Sequence, residues 1–148
     1  MQTPAMPAVL GFLAAAISVL VFHQAMWEAR HLLALPGLGM PPPYSTTPIP
    51  PYGVPQILNL CFWDGLYGIV FGLMLPRLTA PLWLCGPGLG IIAALVGLLP
   101  APAIKGVPVG AGRMPLSWVR SFLINGFWGI GVGIILPLLL RLREPRLT

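Results

Sequence analysis

Six polar residues stand inside long apolar runs of this chain: His23, Gln24, Asn59, Asp64, Arg120 and Asn125. An ionisable group at the centre of a bilayer costs about 2.5–3.5 kcal/mol, so each asks for a function or a partner. A free histidine titrates near neutrality and a buried carboxyl can hold a proton, so His23 and Asp64 together would suit proton or ion handling. A cup of the same six groups could instead bind a small polar solute or a lipid headgroup. The third reading is structural: Asp64 and Arg120 form an ion pair, and Asn59 and Asn125 satisfy the remaining hydrogen-bonding groups and fix helix register. Glu28, Arg30 and His31 follow just beyond the first run. His23, Trp27 and Arg30 share one helical face there, and Gln24, Glu28 and His31 another.

Other chemistries lack their residues. Two His and two Cys lie scattered without ligand spacing, so no metal site is expected. No phosphate loop, dinucleotide fingerprint, HExxH or nucleophile elbow is present, and no enzyme activity or cofactor is expected. The glycine-rich Gly86–Gly90 lacks the Gly-Lys-Ser/Thr of a phosphate loop. Cys61 and Cys85 fall towards opposite ends of successive runs, too far apart for a disulfide, and are expected as free, buried thiols.

The elements that must hold these residues follow from composition. The 148 residues are 57% hydrophobic and 7% charged, with a mean hydropathy of +0.88. A soluble domain carries roughly 25% charged residues, so the bilayer is the expected solvent. The net charge of +5 comes from basic residues at the ends of apolar runs, which suits lipid phosphates rather than nucleic acid. Four runs can cross about 30 Å of hydrocarbon as helices: Ala8–Trp27, Ile57–Leu75, Leu82–Leu99 and Trp118–Leu140. No Lys or Arg precedes the first run, so a retained span is expected there rather than a cleaved signal. Residues 1–148 then form one transmembrane domain. The link Pro76–Pro81 is so short that the second and third spans should be antiparallel neighbours. The loop Pro36–Pro55 holds eight of the nineteen prolines and should be stiff and polyproline-like, a lid packed through Tyr44 and Tyr52. Pro100–Pro115 is a second Pro- and Gly-rich connection on the same side. All six polar residues lie in the half of the membrane nearest these two loops.

Asp64–Pro76, DGLYGIVFGLMLP, and Asn125–Pro137, NGFWGIGVGIILP, agree at six of thirteen positions. The pairs are Gly65/Gly126, Gly68/Gly129, Ile69/Ile130, Gly72/Gly133, Leu75/Leu136 and Pro76/Pro137. This predicts a duplicated two-helix hairpin with a pseudo-two-fold axis along the membrane normal, as in parallel transporter repeats. At the same offset Asn59 matches Arg120 and Asp64 matches Asn125. Each copy carries a GxxxG, Gly68 with Gly72 and Gly129 with Gly133, which lets helix backbones approach. Small residues also line the first span (Gly11, Ala15, Ser18) and the third (Gly86, Gly90, Ala93, Gly97). The expected use of these stripes is packing inside one bundle, with a homo-oligomer seam as the alternative.

FHQ in the first span, PPYSTTPIPPYGVP in the loop and FWDGLYGIVFGLMLPRL in the second span resemble small four-helix bacterial membrane proteins without assigned activity. The resemblance implies the four-helix membrane fold and no chemistry. Basic residues divide evenly, Arg77, Arg141, Arg143 and Arg146 against Arg30, Lys105, Arg113 and Arg120. Drawing Arg120 into an ion pair tips the positive-inside rule towards cytoplasmic termini in a bacterial inner membrane. The expectation is an all-α, multi-pass integral membrane bundle, structural or accessory in role. A solute, ion or lipid binder or transporter built on the Asp64, His23 and Arg120 region is the alternative. The expected partners are membrane lipids, with a homo-oligomer or a membrane-protein partner left open.

Overall fold

The computed structural model describes residues 5–143; Arg146, counted above for orientation, lies outside the described residues. Four helices are long and apolar enough to cross a membrane: Ala5–Leu33, Gln56–Arg77, Leu82–Ile104 and Pro115–Arg143. They are the first to fourth helices below, and they fit a multi-pass membrane protein. Large apolar side chains stay exposed along them, among them Leu13, Leu58, Phe62, Val70, Ile91 and Ile92. Acyl chains would cover such a surface, and water would not.

The first helix outruns its apolar run. The segment QAMWEARHLL, Gln24–Leu33, is polar on one side but rich in strong helix formers, so the helix continues past Trp27. It ends where Ala34 turns left-handed (φ 46°) and returns its N–H to the Arg30 carbonyl at 3.3 Å. Midway, Val19–His23 forms a π-helical turn, an insertion that rotates the residues after it relative to those before.

The proline loop is not uniformly extended. Leu38 and Gly39 close a tight turn on the Leu35 carbonyl. Pro48–Ile49 and Val54–Pro55 then pair as a small antiparallel hairpin, Pro48 opposite Pro55 and Ile49 opposite Val54. Gly53 supplies the left-handed corner (φ 68°), and its N–H reaches the Ile49 carbonyl at 2.9 Å. The second helix has no side-chain cap. Its first donors, Gln56 and Ile57, bond the Thr47 and Ser45 carbonyls instead, both at 3.0 Å. The loop therefore supplies the partners that a helix N-terminus lacks. In the other long connection, Pro100–Ile104 makes one helical turn. Gly110, Ala111, Gly112 and Arg113 follow, all four at positive φ.

Glycine decides which helices meet. The first packs on the second, and the third on the fourth. A methyl group at Gly68 would strike the Gly11 carbonyl, and one at Gly11 would strike Gly68 in return. Gly72 lies against the backbone of Pro7 and Ala8. In the other pair Gly129 meets Gly86, and Gly133 meets Leu82 and Trp83. Both GxxxG motifs are thus buried inside the chain. The two pairs join through the first and fourth helices, while the second and third touch little despite their short link. Short connection therefore did not mean broad contact, because the small-residue stripes face other partners. A two-fold axis would bring the third helix as close to the second as the first is to the fourth, and the contacts between hairpins are not arranged that way.

Trp128 anchors that junction with no exposed surface. Its indole N–H donates to the Ala15 carbonyl at 3.1 Å. Ser18 Oγ donates back to the Trp128 carbonyl at 2.6 Å. Ala14, Ala15, Val19, Phe71, Leu89, Val132 and Leu136 complete the core around it.

Candidate functional site

The polar residues divide into those that hold the proline loop and those that do not. His23 and Gln24 follow the π-helical turn and are buried, at 5% and 2% exposure. The Gln24 amide nitrogen donates to His23 Nδ1 at 3.2 Å, which leaves the ring proton on Nε2. Gln24 Oε1 accepts from the Tyr44 backbone N–H at 2.7 Å. Tyr44 follows three prolines, so its N–H is the first backbone donor after a stretch that has none. A glutamine with both ends occupied ties that point of the loop to the first helix.

Further along the same helix three side chains reach carbonyls of the loop. Trp27 Nε1 donates to Pro41 at 2.7 Å, Arg30 Nε to Leu38 at 2.9 Å, and His31 Nδ1 to Met40 at 2.9 Å. Tyr44 returns a bond from its hydroxyl to the Leu20 carbonyl at 2.9 Å. The cause is chemical. A proline-rich segment makes few hydrogen bonds with itself and leaves its carbonyls free to accept from neighbouring side chains. Tyr52, expected to help pack the lid, is 88% exposed at the hairpin tip and takes no part.

Arg120 does not pair with Asp64. Its Nε donates to the Gly37 carbonyl at 2.9 Å, and its Nη2 to the same oxygen. Arg120 lies five residues into the fourth helix, whereas Asp64 lies eight into the second. Counted along its own helix, Asp64 lies three residues further in than Arg120 does along its own. A long cationic side chain extends towards the nearer polar surface, and here that is the loop. Asn125 is satisfied within its own helix, its amide donating to the Ser121 carbonyl at 2.9 Å. Asp64 and Asn59 are half-buried on the second helix, outside this set of loop contacts. Of the expected cluster of six, Gln24 and Arg120 bond the loop, His23 bonds Gln24, and Asn59, Asp64 and Asn125 make no bond to the loop.

Tyr44 was expected to pack the lid and does bond the first helix, whereas the anchoring roles of Trp27, Arg30 and His31 are not announced by the sequence. The donors were visible, but their acceptors are backbone carbonyls, which no residue type announces. Both thiols are free, and both are half-buried rather than buried. Cys61 Sγ points to the Ala16 carbonyl and Cys85 Sγ to the Ala80 carbonyl. Among the described residues no three of His, Cys, Asp and Glu gather as a metal site would require. One open groove lies between the third and fourth helices, beside Trp83, Gly133, Pro137 and Arg141. Another lies along Trp63, Tyr67 and Val70. Neither is lined by the loop-holding residues. Compared with protein-family models, curated proteins and solved structures, the chain matches none.

Proposed function

We propose that this chain is a structural or accessory multi-pass protein of a bacterial inner membrane, built from a duplicated helical hairpin and without catalytic machinery. The observation that carries the reading is the use of its polar side chains. Gln24, Trp27, Arg30, His31 and Arg120 all bond the backbone of the chain's own loop, which makes a rigid cap rather than an open cup. The matched glycine contacts support the duplication. Gly11 meets Gly68 as Gly86 meets Gly129, and the repeated phrase supplies the second member of each contact. The two copies would dock side by side, first helix to fourth. Both termini would face the cytoplasm and the cap the opposite side, with lipid around the bundle.

Reporter fusions at the C-terminus test the orientation: a cytoplasmic signal is expected, and a periplasmic one overturns it. A thermal-shift screen against small solutes tests the role. The accessory reading expects no solute whose stabilisation of the protein depends on Asp64, and Asp64→Asn to alter stability alone. The second reading, a solute or ion binder, draws on Asp64, a half-buried carboxyl outside the loop contacts. A solute that stabilises the wild type and not Asp64→Asn would favour it.

A further inference from the structure

Arg30 and Arg120 come from different helices and dock on successive carbonyls of one turn, Leu38 and Gly37. Each uses the same edge of its guanidinium, Nε with Nη2, on a single oxygen. A guanidinium has five N–H donors. Each arginine therefore keeps its outer fork, formed by Nη1 and the second hydrogen of Nη2. Arg30 is 6% exposed, and its Nη1 is buried without a hydrogen-bond partner among the described residues. A buried unpaired donor calls for a missing group. Arg30, a buried cation held on a neutral carbonyl, also has no counter-charge among the described residues, and an unpaired buried charge is costly. Glu28 and Asp64 are the acids among the described residues, and both arginines donate to backbone instead of either.

We infer that the Arg30–Arg120 pair holds a phosphoryl oxyanion beside the Gly37–Leu38 turn. Forks that carry planar N–H pairs match phosphate oxygens two at a time. Trp27 and Trp118, whose indoles bond the Pro41 and Gly110 carbonyls, each stand shortly before one of the two arginines in sequence. Indoles favour the headgroup level, where lipid phosphates lie. Entry would be from the Arg120 side, where the contact to Gly37 is exposed. The ligand is the phosphate of a membrane lipid or a free phosphate, since the two share this chemistry. The inference rests on the proposed membrane placement but not on the accessory role.

The full chain is purified in non-ionic detergent as wild type, Arg120→Gln, Arg120→Lys, Arg30→Gln and Asp64→Asn. Each is titrated with phosphatidylglycerol, with diacylglycerol of the same acyl chains, and with inorganic phosphate. Bound lipid is counted by native mass spectrometry, and the unfolding midpoint is read in parallel. Wild type should bind phosphatidylglycerol about tenfold more tightly than diacylglycerol, and Arg120→Gln should lose most of that margin, as expected for one charge-assisted bidentate contact. Arg120→Lys, a point charge without a fork, should recover only part of it. Asp64→Asn should keep it whole. Competition by millimolar inorganic phosphate assigns the ligand as a free oxyanion; its absence assigns a lipid headgroup. Equal binding of the two lipids by wild type overturns the inference, as does undiminished phosphatidylglycerol binding by Arg120→Gln. Equal loss in Asp64→Asn also overturns it. If Arg30→Gln does not fold, the Arg120 variants carry the comparison alone. A failed membrane placement shows separately, in the reporter fusions.

Discussion

The two hairpins of this molecule are alike where their helices touch and different everywhere else. In both, a glycine of the first member lies against a glycine of the second, Gly11 on Gly68 and Gly86 on Gly129. In both, the next turn packs on backbone, Gly72 on Pro7 and Ala8, Gly133 on Leu82 and Trp83. Close backbone approach is what helix pairing in lipid needs, because acyl chains leave no hydrophobic drive between helices. Outside that seam the hairpins diverge. The first is joined by a long loop that side chains of the first and fourth helices fasten down. The second is joined by Pro100–Ile104 and a tight turn. The difference teaches that the clasp sets the pairing, while the connection is free to acquire another role.

The largest expected effect probes the core on which the hairpins meet. Trp128→Ala empties a fully buried site and removes the bond to Ala15. It should cost about 3–5 kcal/mol in denaturant unfolding in detergent. Tyr67, its counterpart in the repeat, is only half-buried and touches it edge-on, with ring centres 6.3 Å apart. Tyr67→Ala should cost clearly less, and equal losses would mean that the junction is symmetric after all. Next come Gly68→Ala and Gly129→Ala, which drive a methyl group into opposing backbone in both hairpins. Each should cost about 1–3 kcal/mol in the same assay. A loss confined to one hairpin would break the likeness. Smaller still is the contrast of Gly65→Ala with Gly126→Ala. These glycines match in the repeat, but Gly65 faces the Phe12 ring and Gly126 faces open space. The first should destabilise measurably, and the second should stay within about 0.5 kcal/mol.

Much of the architecture was legible before any coordinates. Four continuous apolar runs could only be helices in lipid, and all four are found within a few residues of where they were expected. The first helix ran longer because its last ten residues keep helix propensity after losing their apolar character. The likeness of the first and third helices was not legible. Equivalent contacts there lie 75 residues apart, Gly11 with Gly86, and Pro7 and Ala8 with Leu82 and Trp83. The seam demands only small size or exposed backbone, so identity is not required at most positions. The Asp64–Arg120 pair was inferred from opposite charge and a shared membrane half, but Arg120 bonds the Gly37 carbonyl of the loop instead. The anchors Trp27, Arg30 and His31 escaped notice because their acceptors are main-chain oxygens. Composition showed how many donors the chain has, not which carbonyls the prolines leave free.

The central claim is that the polar residues of the first and fourth helices serve to hold the loop. Its most direct test is hydrogen exchange at the Tyr44 amide, which donates to the Gln24 side chain across the boundary between loop and helix. Peptides spanning residues 38–49 suit the measurement, since Pro41, Pro42 and Pro43 contribute no amide. Wild type should protect this amide, and Gln24→Leu should speed its exchange roughly fivefold, the loss of one hydrogen bond worth about 1 kcal/mol. Exchange that is already fast in the wild type, or unchanged in Gln24→Leu, would contradict the claim.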